Sequence, residues 1–407
     1  MKKFNFRNPI IAAAILLTVS ACNKAKDAGP LQADETQAPL KDMMVENGSN
    51  PDEAGFAGLD GKVANRENEG QHFLYTITNS NDSNEVIAYE IMANGGLKKA
   101  SYTFSGGKGT GKGLGSQGAL VLDKNHQWLY AVNAGSNSVS SFKVEAGGKL
   151  TLAHTESTDG AMPNSVAVSG DLLYVLNHGS DNIHGLKIGS GGMLAHIPGS
   201  TQPLSSKMVD APQISFSPDG SQVIVTEKAT DVIGTFKVKN NGSVNSGKFT
   251  ASVGPTPFGF DFSRGKFMVV SNAAGGAAGA GSATSYIIGP NGKPSAVNGF
   301  KKNYSSAPCW TAITKFGRYA FITNTASNTV SSYYVSNWGA IYLVDASAGD
   351  TDPGPLDIVV ASNNYYVYVL NGKSRSISEF KRKPFGELEK IGTLNAIPPA
   401  STGLATF

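Results

Sequence analysis

Glu227 breaks a pattern. It ends the segment Val223-Ile-Val-Thr-Glu227, whereas six related segments end in asparagine, at 79, 133, 177, 272, 324 and 371. Asparagine bonds local backbone and tolerates left-handed turns, so these six read as structural. A carboxylate in the seventh position is what a general base or a cation ligand needs, which makes Glu227 the expected catalytic residue. Its alternative is an ion pair with Lys228 or with a lysine of a neighbouring repeat. A second set of positions, just ahead of the strand preceding each such segment, comprises Ala119, Ser165, Gln213, Gly259, Trp310, Asp357 and Gly403. Trp310 and Asp357 fall in consecutive repeats, which would put an aromatic platform beside a carboxylate, a pairing suited to a sugar-like or cationic ligand. Packing of Trp310 between repeats is the competing expectation. Gln213 would shape the same pocket, and His178, directly after Asn177, is the histidine expected to face a ligand.

Other signals point away from chemistry. Cys309 has no histidine nearby in sequence and reads as a small core thiol. The six histidines (72, 126, 154, 178, 184, 196) show no ligand spacing on one element, and two cysteines cannot build a thiolate site. No structural zinc, no protein-bound metal and no cofactor are therefore expected, although a divalent cation bound where the repeats converge stays open. Gly106 and Gly111-Lys112 have the spacing of a phosphate-binding loop, but Gly113 occupies the Ser/Thr position and no helix follows. The stretch from Gly106 to Gly118 reads instead as a flexible basic rim that attracts an anion.

The segments that must position these residues recur. Their final residues are 44 to 54 positions apart, each is followed by an alternating strand such as Val139-Ser-Ser-Phe-Lys-Val144, and six are preceded by another strand and a turn. Those preceding strands are expected to begin at Leu120, Val166, Ile214, Phe260, Thr311 and Ile358, and the chain end Gly403-Leu-Ala-Thr-Phe407 fits the missing seventh. Such a period is that of a four-stranded blade. Residues 72–407 are thus expected to be all-β, a seven-bladed propeller of four-stranded blades closed by the C-terminal strand, which leaves no open sheet edge.

The first 21 residues carry Lys2, Lys3 and Arg7, an apolar run from Ile10 to Val19, and Ser20-Ala21 before Cys22. They read as a secretory signal too short to span a membrane. The Val19-Ser20-Ala21-Cys22 run resembles the lipobox of bacterial lipoproteins, which implies lipidation of Cys22. Residues 22–71, acidic and poor in aromatics, read as a flexible tether. Removing the signal takes the formal charge of +3 to near zero, which excludes nucleic acid as the expected partner. A monomer held in the cell envelope by its lipid anchor is expected, facing the periplasm or placed at the outer membrane.

The Tyr-Val-x-Asn segments, the Ser217-Pro-Asp-Gly220 turn and the glycine-rich 106–118 stretch together resemble the seven-bladed propeller lactonase family, over roughly residues 72–407. That family includes 6-phosphogluconolactonases and carboxymuconate lactonizing enzymes. The resemblance implies functional positions at the channel mouth: a His-x-His pair aligning with Met162 and Asn164, an Arg-His pair aligning with Pro212 and Gln213, and an acidic residue aligning with Glu227. Because the histidines and arginine are replaced, the first expectation is a binding protein for a small ligand or an envelope protein at the channel face, with Asn164 among its contacts. The alternative is a lactonase-type hydrolase.

Overall fold

The computed structural model describes residues 71–407; the expected signal segment, Cys22 and the tether as far as residue 70 lie outside them. Among the described residues there are seven antiparallel sheets joined by turns and short 3-10 segments, and no α-helix. Blade two shows the plan, running outward as Leu120–Leu122, Trp128–Asn133, Ser138–Val144 and Leu150–Ser157. Blade three adds a short fifth strand, Gln202–Pro203, beside Asn182–Ile188. Each inner strand touches the inner strands of the two neighbouring blades, so the seven enclose a central channel.

Burial explains the sequence pattern of each strand. The second strand of a blade is covered on both faces by adjacent blades, and Tyr319–Asn324 and Tyr366–Asn371 are buried at every position. These strands therefore read as continuous apolar runs. The outermost strands meet water on one side, and Leu97–Phe104 alternates between exposed and partly buried residues over much of its length.

The inner strands of blades three, five, six and seven begin about three residues earlier than expected, with Pro163, Pro257, Pro308 and Pro355 at their first positions. Proline has no N–H to donate and is tolerated at the start of an edge strand. In each, the register slips just after the proline, between Pro163 and Ser165 for example, and this bulge aims the following residues into the channel.

The C-terminus closes the ring. Thr402–Thr406 pairs antiparallel with His72–Ile77, matching Leu74 to Thr406 and Ile77 to Thr402. Phe73 and Phe407 exchange backbone hydrogen bonds of 3.1 and 3.2 Å, and the Phe407 ring packs on Phe73 and Tyr75.

Adjacent blades meet along a repeated seam. The turn between the third and fourth strands of each blade holds a glycine with positive φ whose Cα presses on the preceding blade. Six of these glycine carbonyls accept a side-chain hydroxyl from that blade, as Gly148 does from Tyr75, Gly242 from Tyr174 and Gly95 from Tyr368, each at 2.9 Å. At Gly339, with φ of +80°, a Cβ would lie 2.2 Å from the Phe267 ring. Gly339→Ala is expected to cost about 3 kcal/mol through combined backbone strain and overpacking, seen as a lower thermal midpoint. Gly113→Ala, in open space, should change stability by no more than about 0.5 kcal/mol.

Candidate functional site

The ends of the second strands and the starts of the inner strands share one face, since Asn177 pairs with Pro163, Asn324 with Pro308 and Asn371 with Pro355. All six ring asparagines are fully buried. Three of them hold the hydroxyls five and seven residues on: Asn324 donates to Thr329 and Ser331 at 3.0 and 2.8 Å, and Asn133 and Asn371 do the same, while Asn272 reaches Ser282 and Thr284 across a longer connection. They tie the second strand to the third.

Glu227 is explained by the same arithmetic. Five and seven residues beyond it stand Val232 and Gly234, which offer no hydroxyl. The longer glutamate reaches elsewhere, accepting from the Ser205 backbone N–H at 3.0 Å, from the Ser205 hydroxyl, and from Thr230 Oγ1 at 2.7 Å. Both oxygens are thus engaged and the residue is fully buried. It anchors a loop, and the expectation that it acts as the base is corrected on that ground. Nor does it pair with Lys228, whose Nζ lies 3.2 Å from Asp210 Oδ2.

The glycine-rich stretch is not a flexible rim. Gly109 and Gly111 donate to the carbonyls of Ser80 and Asn79, and the stretch then drives Ser116 and Gln117 across the channel. Ser116 Oγ donates to the Asn164 carbonyl at 2.7 Å, and its own carbonyl accepts Trp310 Nε1 at 2.9 Å. Gln117 donates its backbone N–H to Pro212 and exchanges both amide bonds with the Thr311 backbone. A segment leading into blade two is thereby bonded to blades three, four and six. Gly259 makes this possible, because a Cβ there would meet Gln117 Oε1 at 2.2 Å. Trp310 lies beneath this plug, 1% exposed and packed on Phe258 at 5.0 Å between centroids, so it is a core residue rather than an open platform.

Gln213 and Asp357 also turn out to be stitches between blades. Gln213 exchanges hydrogen bonds with the Phe260 backbone at 2.9 and 2.7 Å, and Asp357 accepts from the N–H groups of Ile358 and Leu404 at 2.8 and 3.0 Å. Asp261 joins blade five to blade six in the same way, through Ile313. Burial pushes the Asp357 carboxyl up to about 7 and that of Asp261 up to about 6, against the opposing pull of those backbone donors. The unfolded-state value is near 3.9, below both. Their stabilising contribution is therefore complete below about pH 4 and is lost as pH rises through about 6 and 7. Asp357→Asn should flatten this decline: between pH 5 and pH 8 its urea midpoint is expected to fall less than that of the wild type.

What remains at the channel mouth is a cluster that spans two blades. His178 and Lys228 each directly follow a ring residue, in blades three and four, and Asp210 lies between them. His178 Nδ1 is 3.8 Å from Asp210 Oδ1, and Asp210 Oδ2 holds Lys228 Nζ. The Lys228 ammonium sits 4.5 Å above the Phe258 ring, which leads it inward toward Trp310 and the plug. Three buried atoms in this part of the structure have no hydrogen-bond partner, His178 Nδ1, Asn177 Oδ1 and Asn164 Oδ1, although Asn164 Nδ2 donates to the Ala211 carbonyl. Buried polar atoms are normally satisfied; the ring asparagines 272 and 371 share such an orphan Oδ1, whereas those of His178 and Asn164 stand beside the cluster.

A cavity of about 490 Å³ opens on the opposite face, between the turns of blades two, three and four. Its acid, Asp123, is committed to its own turn through the N–H groups of Gln127 and Trp128.

Comparison with known proteins follows the architecture. The sequence matches the lactonase, seven-bladed beta-propeller family over residues 65–202 and 186–279, which together exceed half of the chain. The chain belongs to that family. No curated protein matches it in sequence. Among solved structures, a candidate 6-phosphogluconolactonase of Bacteroides fragilis superposes with a TM-score of 0.65 at 18% identity, covering 83% of this chain and 98% of the other. The periplasmic gluconolactonase of Pseudomonas aeruginosa gives 0.63 at 16% identity, with 83% and 98% covered. A protein of Lactobacillus plantarum gives 0.68 at 16%, with 83% and 100% covered. At these identities the likeness shows a shared fold.

Within this lactonase-family propeller, His178 and Asn164, both expected at the mouth, directly follow Asn177 and Pro163, which pair with each other at one end of blade three. Sequence reasoning missed Asp210 and weighed Lys228 only as a partner for Glu227. The available signal was positional: of the seven residues that follow the ring, Ser80, Ala134, His178, Lys228, Ala273, Thr325 and Gly372, only two can carry charge.

Proposed function

We propose that the protein is a lactonase-type hydrolase whose reaction takes place at the channel mouth between blades three and four. The observation that carries this reading is the convergence of His178, Asp210 and Lys228 at the channel mouth. Asp210 lies on the Nδ1 side of His178 and orients the ring, leaving Nε2 to take the proton of an attacking water. As the water oxygen bonds to the lactone carbonyl carbon, negative charge collects on the carbonyl oxygen, and the Lys228 ammonium stabilises it. Collapse breaks the ring C–O bond, and His178 returns the proton to the leaving oxygen, giving a hydroxy acid. Asn164 Oδ1 is placed to accept a hydroxyl of the substrate. The gap of 3.8 Å between His178 and Asp210 would tighten when a substrate fills the mouth.

If Cys22 is lipidated as its sequence context implies, the lactone would be met outside the cytosol. A second reading, ligand capture without turnover, is favoured by one observation: the Ser116–Gln117 plug fills the channel centre and leaves a shallow mouth. Proton release by the full chain against a panel of five- and six-membered lactones separates the two. Turnover absent from heat-denatured protein supports hydrolysis. Saturable binding of a panel member by folded protein, with no turnover of any, supports capture.

A further inference from the structure

Beyond the ring residue Asn177, the loop entering blade three and the outer part of that blade bring together three potential ligands. His184 lies on the third strand of blade three, His196 on its short outer strand, and Asp159 in the connection from blade two. His184 Nε2 and His196 Nδ1 are 2.8 Å apart, and Asp159 Oδ2 lies 3.2 Å from the second and 3.8 Å from the first. With bonds of 2.0 to 2.1 Å, the ligands of a tetrahedral zinc ion are separated by about 3.3 Å, close to the mean of these three edges.

The surroundings aim these atoms. Glu156 Oε1 sits 3.4 Å from His196 Nε2; a carboxylate only accepts, so the proton belongs on Nε2, and Nδ1 turns its lone pair toward His184 and Asp159. Ser157 donates to Asp159 Oδ1, leaving Oδ2 for the histidines. Thr201 Oγ1 holds His184 Nδ1 at 2.8 Å. The 2.8 Å contact between His184 Nε2 and His196 Nδ1 is a hydrogen bond, and a cation held by both nitrogens and Asp159 Oδ2 would take the place of its proton.

We propose that Asp159, His184 and His196 form a binding site for a divalent cation of the zinc class, which ties the loop leaving blade two to the outer edge of blade three. Two imidazoles and one carboxylate favour zinc, copper or nickel over magnesium or calcium. Asp159 and His196 are exposed enough to leave the fourth position to water. The carboxylate of Glu156 on the far nitrogen of His196 is the outer-shell partner that zinc-bound histidines commonly have. Linear sequence concealed the site, because its ligands come from three elements and meet only through strand pairing.

Zinc titration of the full chain carrying Cys22→Ser, followed by calorimetry, tests the site. One ion is expected to bind with a Kd of about 10 µM or tighter, and saturating zinc should raise the thermal midpoint by roughly 3 °C or more. His196→Gln and Asp159→Asn, both at exposed positions, should each weaken binding by at least about tenfold, while His126→Gln leaves it unchanged. Cobalt in place of zinc should give the visible absorption of a four-coordinate ion, lost in His196→Gln. Folded protein that binds no zinc below about 1 mM, or binding equally tight in both ligand variants, would overturn the proposal.

Discussion

Lys228→Met is expected to lower kcat/KM for a hydrolysed lactone by about 100-fold or more, the usual cost of removing one preorganised partner of a developing oxyanion. For a neutral lactone the loss should fall on kcat, because the charge that Lys228 meets exists only in the transition state. For a lactone that also carries a fixed anion, KM should rise as well. Folding is a separate matter: Lys228 is paired with Asp210 and rests on Phe258, so the variant leaves Asp210 without its cation but opens no large cavity. Its thermal midpoint, measured alongside the kinetics, should fall by only a few degrees. An unchanged kcat/KM in a folded Lys228→Met protein would move the chemistry away from this corner.

Deleting Thr402–Phe407 is expected to remove most of the stability of the propeller. The segment supplies the inner strand of blade one, fills the gap between blades seven and two, and buries Leu404 and Ala405. Its loss bares the hydrogen-bonding edge of His72–Ile77 and strands the Asp357 carboxylate, one of whose two backbone donors is Leu404. A domain is stable by only about 5–15 kcal/mol, and an opened ring plus an uncompensated buried carboxylate approach that total. Circular dichroism of the truncated chain should show a midpoint at least about 15 °C lower, or no cooperative transition. A midpoint matching the full chain would mean that ring closure contributes little.

The architecture was legible because each blade repeats its burial pattern. An anchor strand covered on both faces has to read as a run such as Tyr-Val-Leu, and Gly403-Leu-Ala-Thr-Phe407 had nowhere else to pair. Inner-strand starts were read about three residues late, since the proline and the bulge behind it interrupt the alternation. The site was less legible. A charged residue at a repeat position invites a catalytic reading, yet Glu227 is there because Val232 and Gly234 left its hairpin without hydroxyls. Trp310, Gln213 and Asp357 stand on inner strands, and whether such a residue meets a ligand or a neighbouring blade depends on what fills the channel. The Ser116–Gln117 plug does so through bonds to residues nearly 200 positions away, which no local pattern encodes. Asp210, held in a left-handed turn between His178 and Lys228, carried no repeat signal.

The most direct test compares the wild-type chain with His178→Gln on the lactone it hydrolyses fastest, with both proteins shown to be equally folded. A fall in kcat of at least about 100-fold, as expected for loss of a general base, places the reaction between blades three and four. Retention of the wild-type rate would contradict that placement.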